Sequence, residues 1–324
     1  MRSWFASVAI ALAMLSFASR EATASEGFVY GGINGGADIG AAYLPPEPGF
    51  YGLVIAGTAH ATSLYGNDGK KIDGAQFGLH VYSALGGLMY VYPFKLGGGT
   101  LASTIVEGFG GTYSLTAYGQ SGRASGIGDL YSDLLIWSKH IGGDCPETME
   151  QGRPGLPYGL TVRLAYSMFF PTGAYNPNSA VGSLGHNVYF FIPNASVTYL
   201  TGPNRFGDGT EFSLTVWYDK ATRNRATDYQ TGDVIDFDWA ISERMGKWQV
   251  GVAGNYATQL NGDRKSGQLV NGNGDRLGAA TIGPVVAYQI PQWKSIVKLK
   301  VGLPIWARNY NNAITVYGTL MKAF

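Results

Sequence analysis

The sequence predicts an all-β protein: a closed, transmembrane antiparallel β-barrel of about twelve strands, with both termini on the periplasmic side. Three observations predict it. Apolar and polar residues alternate with period two in segment after segment. The polar parity of several segments carries charges that a dry core does not tolerate. Charged residues are scarce overall, at 14% of the chain, beside 48 glycines in 324 residues. Soluble domains carry about 25% charged residues and about 7% glycine.

The chain starts with Met1-Arg2, an apolar run from Trp4 to Ala18 and then Ala22-Thr23-Ala24. A basic start, a short apolar stretch and a small-x-small site describe a secretory signal peptide, assigned here to residues 1–24. The run is shorter than the roughly 20 residues a helix needs to cross a bilayer. Cys145 is the only cysteine, so an exported chain must be stable without an internal disulfide. After the signal no apolar run reaches a helical membrane span. What is left is a secreted β-protein or an outer-membrane barrel. A formal net charge of +1 argues against nucleic acid as a partner. Residues 25–49, rich in glycine, alanine and proline, are expected to form a periplasmic lead or a lumen plug, and residues 50–324 the barrel.

The strands are read from alternation. Trp248, Val250, Val252, Tyr256 and Leu260 share one parity; Lys247, Gln249, Asn255 and Gln259 share the other with small Gly251, Ala253 and Ala257. Successive side chains of a strand point to opposite faces, so one face is apolar and the other polar or small. Ile235, Phe237, Trp239 and Ile241 alternate with Asp236, Asp238, Ala240 and Ser242. Phe212, Leu214, Val216 and Tyr218 alternate with Glu211, Ser213, Thr215 and Trp217; Leu160, Val162 and Leu164 with Thr161, Arg163 and Ala165. Val297, Leu299 and Val301 alternate with Lys298 and Lys300. In a soluble sandwich those charges face a dry core at high cost; in a barrel they face a polar lumen.

Twelve segments qualify: 50–66, 76–94, 99–119, 126–139, 158–172, 185–200, 209–222, 230–244, 246–261, 275–290, 294–306 and 312–324. Most exceed the ~9–11 residues that cross a bilayer at a tilt. Alternate links are short, as at Lys95-Leu96-Gly97-Gly98, Arg244-Met245-Gly246 and Pro291-Gln292-Trp293, while 172–185, 222–230 and 261–275 are long and polar. Short periplasmic turns and longer outside loops have this pattern. The link 140–157 is long yet falls on the short-turn side, so either the count fails there or that segment folds against the barrel end. Trp137, Tyr189, Tyr199, Tyr218, Trp248, Tyr288, Trp306 and Tyr310 fall near strand ends, where aromatic girdles form.

Several segments together resemble the outer-membrane family named for the MetA pathway of phenol degradation: Gly126-Ile127-Gly128-Asp129-Leu130, then Trp137, then Phe170-Pro171-Thr172-Gly173-Ala174-Tyr175. Asp228-Tyr229-Gln230-Thr231-Gly232-Asp233, Tyr256-Ala257-Thr258-Gln259-Leu260 with Asp263, and the stretch Gly278 to Tyr288 follow in order. The resemblance runs from about residue 50 to the end. It implies an outer-membrane barrel with a role in uptake of aromatic or other hydrophobic compounds. The terminal Phe324 resembles the signal read by the barrel-assembly machinery, although Lys322 interrupts the apolar parity before it.

The expected role is therefore passive passage of small, hydrophobic or aromatic molecules through an outer-membrane channel, without enzymatic chemistry or a cofactor. The expected partners are outer-membrane lipid, lipopolysaccharide, the assembly machinery and a small-molecule solute. A structural or adhesive barrel and a phospholipase-type barrel are the alternatives, with unselective diffusion a third within the pore class. The histidines His60, His80, His140 and His186 stand in no G-x-S-x-G elbow, and one cysteine with scattered histidines makes no metal ligand set. Asn271-Gly272-Asn273-Gly274-Asp275 alternates oxygen-bearing side chains but lacks a bidentate glutamate for calcium. The lumen-lining candidates are the acids Asp129, Asp133, Asp236 and Asp238, the bases Arg163, Lys298 and Lys300, and the aromatics Tyr131 and Trp217. The charged groups either form a selective constriction or pair across a narrow lumen.

Overall fold

A computed structural model describes residues 36–141, 156–178 and 183–324. The expected signal peptide, residues 25–35 of the lead and residues 142–155 of the 140–157 link lie outside the described residues. Twelve long strands form the wall: β1 Gly49–Ala61, β2 Gly78–Leu96, β3 Gly99–Ala117, β4 Leu130–His140, β5 Gly159–Phe170 and β6 Phe190–Leu200, then β7 Gly209–Ala221, β8 Val234–Met245, β9 Trp248–Gln259, β10 Gly278–Ile290, β11 Ser295–Arg308 and β12 Ile314–Ala323. Each pairs antiparallel with the next, and β12 returns to β1 in a register running from Tyr51↔Ala323 to His60↔Ile314. The ring is closed, so no strand edge of the barrel is left unpaired. Among the described residues the only helical stretches are two single 3₁₀ turns, Val270–Gly272 and Pro291–Trp293.

Burial runs opposite to that of a soluble protein. On β7, Phe212 and Leu214 are exposed while Glu211, Ser213, Thr215 and Asp219 are buried. On β8, Asp236 and Asp238 are fully buried while Ile241 is exposed. The apolar outer face suits a hydrocarbon surround, and in the closed ring each strand is hydrogen-bonded to a neighbour on both sides. Aromatic pairs mark that outer face: Trp248 lies 4.6 Å from Tyr288, centroid to centroid, and Tyr256 stacks on Trp306 at 5.9 Å. Tyr310, expected in a girdle, instead packs inside against the buried cluster of Ala61, Leu64, Ala75, Phe77 and Leu79. The 309–313 link folds inward and takes the ring with it.

Two strand limits differ from those expected. The strand expected over 126–139 begins only at Leu130, as β4, and is preceded by a separate strand, Gln120–Gly126, which pairs with Gly111–Ala117 beyond the main wall. The register is the same on both sides of the break, from Gly111↔Gly126 to Val106↔Tyr131. Gly126, with φ +150°, supplies a backbone angle other residues avoid. Second, Tyr229–Gln230 leaves the wall for a small loop sheet with Arg264–Lys265 and Gln268–Leu269, so β8 starts at Val234 rather than near 230. The segments flanking the long 140–157 link are both barrel strands, and the twelve-strand count holds across it.

Glycine also makes room for aromatic side chains between strands. Gly254 on β9 faces Trp239 on β8, and a Cβ at Gly254 would overlap the indole ring. Gly254→Ala is expected to displace Trp239 and cost about 1–3 kcal/mol, the range for overpacking a filled site. Urea unfolding of the micelle-bound protein measures it; an unchanged midpoint would mean the ring moves aside freely.

Candidate functional site

The interior is filled by side chains from facing strands and by residues 36–44, which run through it. β4 and β5 bring together Asp133 and Arg163, each with a side chain 9% exposed, Arg163 Nη2 lying 3.4 Å from Asp133 Oδ1. The Asp133 carboxylate also accepts from Tyr131 Oη at 2.8 Å, Ser167 Oγ at 2.5 Å and Thr104 Oγ1 at 2.5 Å. Arg163 donates on to Asn194 Oδ1 at 2.9 Å. On β8, Asp236 and Asp238 share the Asn255 amide, at 2.5 and 2.9 Å. Glu211 accepts from Arg244 Nε at 2.9 Å and from Gln249 Nε2 at 2.9 Å. Tyr131 and Trp217 belong to one apolar cluster with Val188, Phe190, Ile192 and Ala221.

The 36–44 segment binds several walls at once. Ala37 N donates to Asp238 at 3.0 Å, Gly40 N to Glu211 at 2.7 Å and Ala42 N to Thr198 at 3.1 Å, while Ser138 Oγ donates to the Ala42 carbonyl at 2.6 Å. Lys298 Nζ lies 2.6 Å and Lys300 Nζ 3.6 Å from the Asp38 carboxylate. Ile39 packs on Ala240, Ala253 and Val285, and Leu44 on Val91, Ala102 and Ile136. Beside Asp38 a cavity of about 480 Å³ opens towards β1–β4 and β12, lined by Ile55, Leu85, Met89, Val106, Tyr131 and Phe169 together with both lysines.

Of the lumen candidates, Asp133 and Arg163 meet directly, and Tyr131 touches both the pair and the cavity. Asp236 and Asp238 stand together, and Lys298 and Lys300 meet through Asp38. Trp217 lies in the packed cluster. Asp129 sits at the loop end of the cavity, where its carboxylate accepts from Gly173 N at 2.9 Å and His186 N at 2.9 Å and lies 2.7 Å from His186 Nδ1. Gly128, Gly173 and Gly185 converge there so tightly that a Cβ on Gly173 would lie 2.6 Å from the Gly128 carbonyl carbon. Asp129→Ala is expected to speed amide exchange at Gly173 and His186 by at least about tenfold, the effect of losing one charge-assisted bond. Unchanged exchange would show that the glycine contacts alone hold the loop.

The remaining motifs are engaged locally. Tyr229 Oη and Gly232 N donate to the buried Asp263 carboxylate at 2.6 and 2.8 Å, tying two loops together. Asn271 Nδ2 donates to Asp275 at 2.5 Å, and Asp275 N to Asn273 at 3.0 Å, so these side chains serve one another. Burial raises the Asp275 carboxyl above its ordinary value, partly offset by that amide. His60 and His80 face each other across β1 and β2 with Nδ1 atoms 3.0 Å apart. Sequence reasoning missed Asp38 and Arg244, and it set Glu211 on the polar parity of its strand without naming it among the lumen candidates. Arg244 continues the parity of Asp236, Asp238, Ala240 and Ser242, but its neighbours Met245-Gly246 read as a turn.

A closed twelve-stranded ring, apolar outside and polar inside, defines a β-barrel of the outer-membrane class. The chain belongs to the MetA-pathway of phenol degradation family, whose sequence profile matches residues 61–318. It is similar in structure to an outer membrane channel from Pseudomonas putida F1, with a TM-score of 0.71 and 14% identity over 88% of this chain and 98% of that one. Weaker likenesses reach the NanC porin, at TM-score 0.42 and 10% identity over 84% of this chain and 100% of that one, and the translocator domain of the autotransporter NalP from Neisseria meningitidis, at 0.42 and 11% over 86% and 90%. No curated protein matches the sequence significantly.

Proposed function

We propose that the protein is an outer-membrane channel for passive passage of small hydrophobic or aromatic solutes, with residues 36–44 as a plug that narrows its lumen. The observation that carries this reading is the cavity of about 480 Å³, walled by Ile55, Leu85, Met89 and Phe169, inside a barrel whose other inward faces are largely polar. Apolar pockets of roughly 300–1,000 Å³ with a few polar groups hold small organic ligands. The mechanism needs no covalent step. Solute moves down its gradient, the cavity favours apolar bodies, and the plug sets the width. In the same reading the signal is cut after Ala24, both termini lie in the periplasm and Phe324 is read by the assembly machinery. The kinship with a channel of known structure supports this reading through the fold.

The test is flux through the purified protein in liposomes, comparing a small sugar with a sparingly soluble aromatic acid of similar size. Aromatic entry well above protein-free liposomes, with the sugar excluded, is the expected result. Similar rates for both would mean an unselective diffusion pore, and no flux of either would overturn the channel reading.

A further inference from the structure

The cavity and the plug segment share a boundary, the carboxylate of Asp38. That side chain is fully buried, 2.6 Å from Lys298 Nζ and 3.6 Å from Lys300 Nζ, and the Lys300 side chain is itself only 6% exposed. The two halves of this cluster are held very differently. Lys298 and Lys300 stand on β11, fixed by ladders to Ala287 and Val285 on β10 and to Thr319 and Tyr317 on β12. Asp38 belongs to no ladder. It sits between Ala37 and Gly40, which reach the wall through single backbone bonds to Asp238 and Glu211. A rigid pair of cations opening on an apolar cavity, with its anion supplied by a tethered segment, has the layout of a ligand subsite with a built-in occupant.

We infer that Lys298 and Lys300 form a carboxylate subsite for the solute, and that Asp38 is the resident occupant which the solute displaces. The solute class this selects is a small monocarboxylate with an apolar, ring-sized body. The inference rests on the channel reading above and names its substrate class. Charge decides the head group. An ammonium–carboxylate contact is roughly twice as strong as a neutral hydrogen bond. Separating Asp38 from two largely buried lysines is costly unless another anion takes its place. An incoming carboxylate exchanges charge for charge, whereas a neutral solute takes from Lys298 the carboxylate that it pairs with and puts no anion in its place. The cavity decides the body: Ile55, Leu85, Met89, Tyr131 and Phe169 offer apolar and aromatic surface within reach of the same lysines. Exchange also loosens the plug, because Asp38 contributes its ion-paired side-chain anchor, beside the packing of Ile39 and Leu44. A ligand that binds only the displaced state shifts the population towards it by its differential affinity.

The experiment uses the full exported chain in nanodiscs, with benzoate and its neutral isostere benzamide as probes, read by calorimetry and by amide exchange across residues 36–44. Benzoate is expected to bind roughly tenfold more tightly than benzamide, and to speed exchange in that segment where benzamide does not. Asp38→Asn is expected to tighten benzoate binding about tenfold further and leave benzamide unchanged, since only the competing anion is lost. Lys298→Met combined with Lys300→Met is expected to abolish the preference. Equal binding of the two probes, or benzoate affinity unaltered by Asp38→Asn, overturns the subsite. Should the double variant fail to fold, benzoate-dependent exchange on the unaltered chain decides. Conductance separates the two readings. A chain that conducts but binds both probes alike keeps the channel and loses the subsite. One that binds benzoate preferentially and loosens its plug without conducting keeps the subsite and loses the channel.

Discussion

Removing residues 25–44 is expected to raise single-channel conductance in a planar bilayer several-fold and to reduce discrimination between a sugar and an aromatic solute. The segment touches β4, β6, β7, β8 and β11, through Ser138, Thr198, Glu211, Asp238 and Lys298, so it crosses the interior rather than lining one side of it. The wall does not depend on it. Every barrel strand pairs with two other strands, and the ring closes through β1 and β12 without a contribution from residues 36–48. Nor does removal strand a charge in a dry place: unlike an apolar solute, which would keep the cavity dry, deletion of the whole segment lets water in to solvate Lys298, Lys300 and Asp238. Glu211 keeps Arg244 and Gln249. The deletion variant is therefore expected to insert and to show a folded band in unheated gels. A folded variant with unchanged conductance would remove the plug from the account and leave the lumen width to the wall alone.

The barrel was legible because membrane strands write their two faces as separate lists. On β8, Asp236, Asp238, Ala240 and Ser242 have no reason to alternate with Phe237, Trp239 and Ile241 except that the two parities meet different surroundings, and the observed burial follows that division. Limits slipped where the chain leaves the ladder for tertiary reasons. The first strand was expected to reach residue 66, but β1 stops at Ala61 because Leu64 turns in to pack with Phe77 and Leu79. An apolar residue looks the same in sequence whether it continues a strand or plugs a loop. The break before β4 depends on Gly126, whose torsion no spacing rule specifies.

The site was legible where charge sat on a strand and hidden where it did not. Lys298 and Lys300 recur at a two-residue interval inside an apolar run, and that alone marks a polar lining. Asp38 has neither periodicity nor a local partner. The lysine it meets is 260 positions away, and the glycine- and alanine-rich stretch around it gives no register from which to place it. Tyr131 and Trp217 were placed inward by parity, but parity says nothing of how fully an inward ring is enclosed. Both are at most 5% exposed because the aliphatic residues Val188, Ile192 and Ala221 close around them.

Arg163→Met is expected to cost about 3–5 kcal/mol of stability, the range for breaking a buried ion pair by removing one partner. The lost attraction is the smaller part. Asp133 remains, with its charge, among Tyr131, Ser167 and Thr104, whose hydroxyls already donate to it and offer no further proton. A bulge holds it there: β4 shifts register between Asp133 and Leu135, sending Leu134 and Leu135 to the outer face and leaving Asp133 pointing inward beside Arg163. The carboxylate cannot swing out to solvent without undoing that bulge. Asp133→Asn in the same background removes the stranded charge and is expected to return roughly 1–3 kcal/mol, a coupling typical of residues in one network. Urea unfolding in micelles, followed by tryptophan emission, completes the cycle. A loss under about 1 kcal/mol for Arg163→Met would mean that water already reaches Asp133, as at an exposed ion pair. The lumen near β4 and β5 would then be wet, and Asp133 would meet that water on the side where it lines the cavity together with Tyr131.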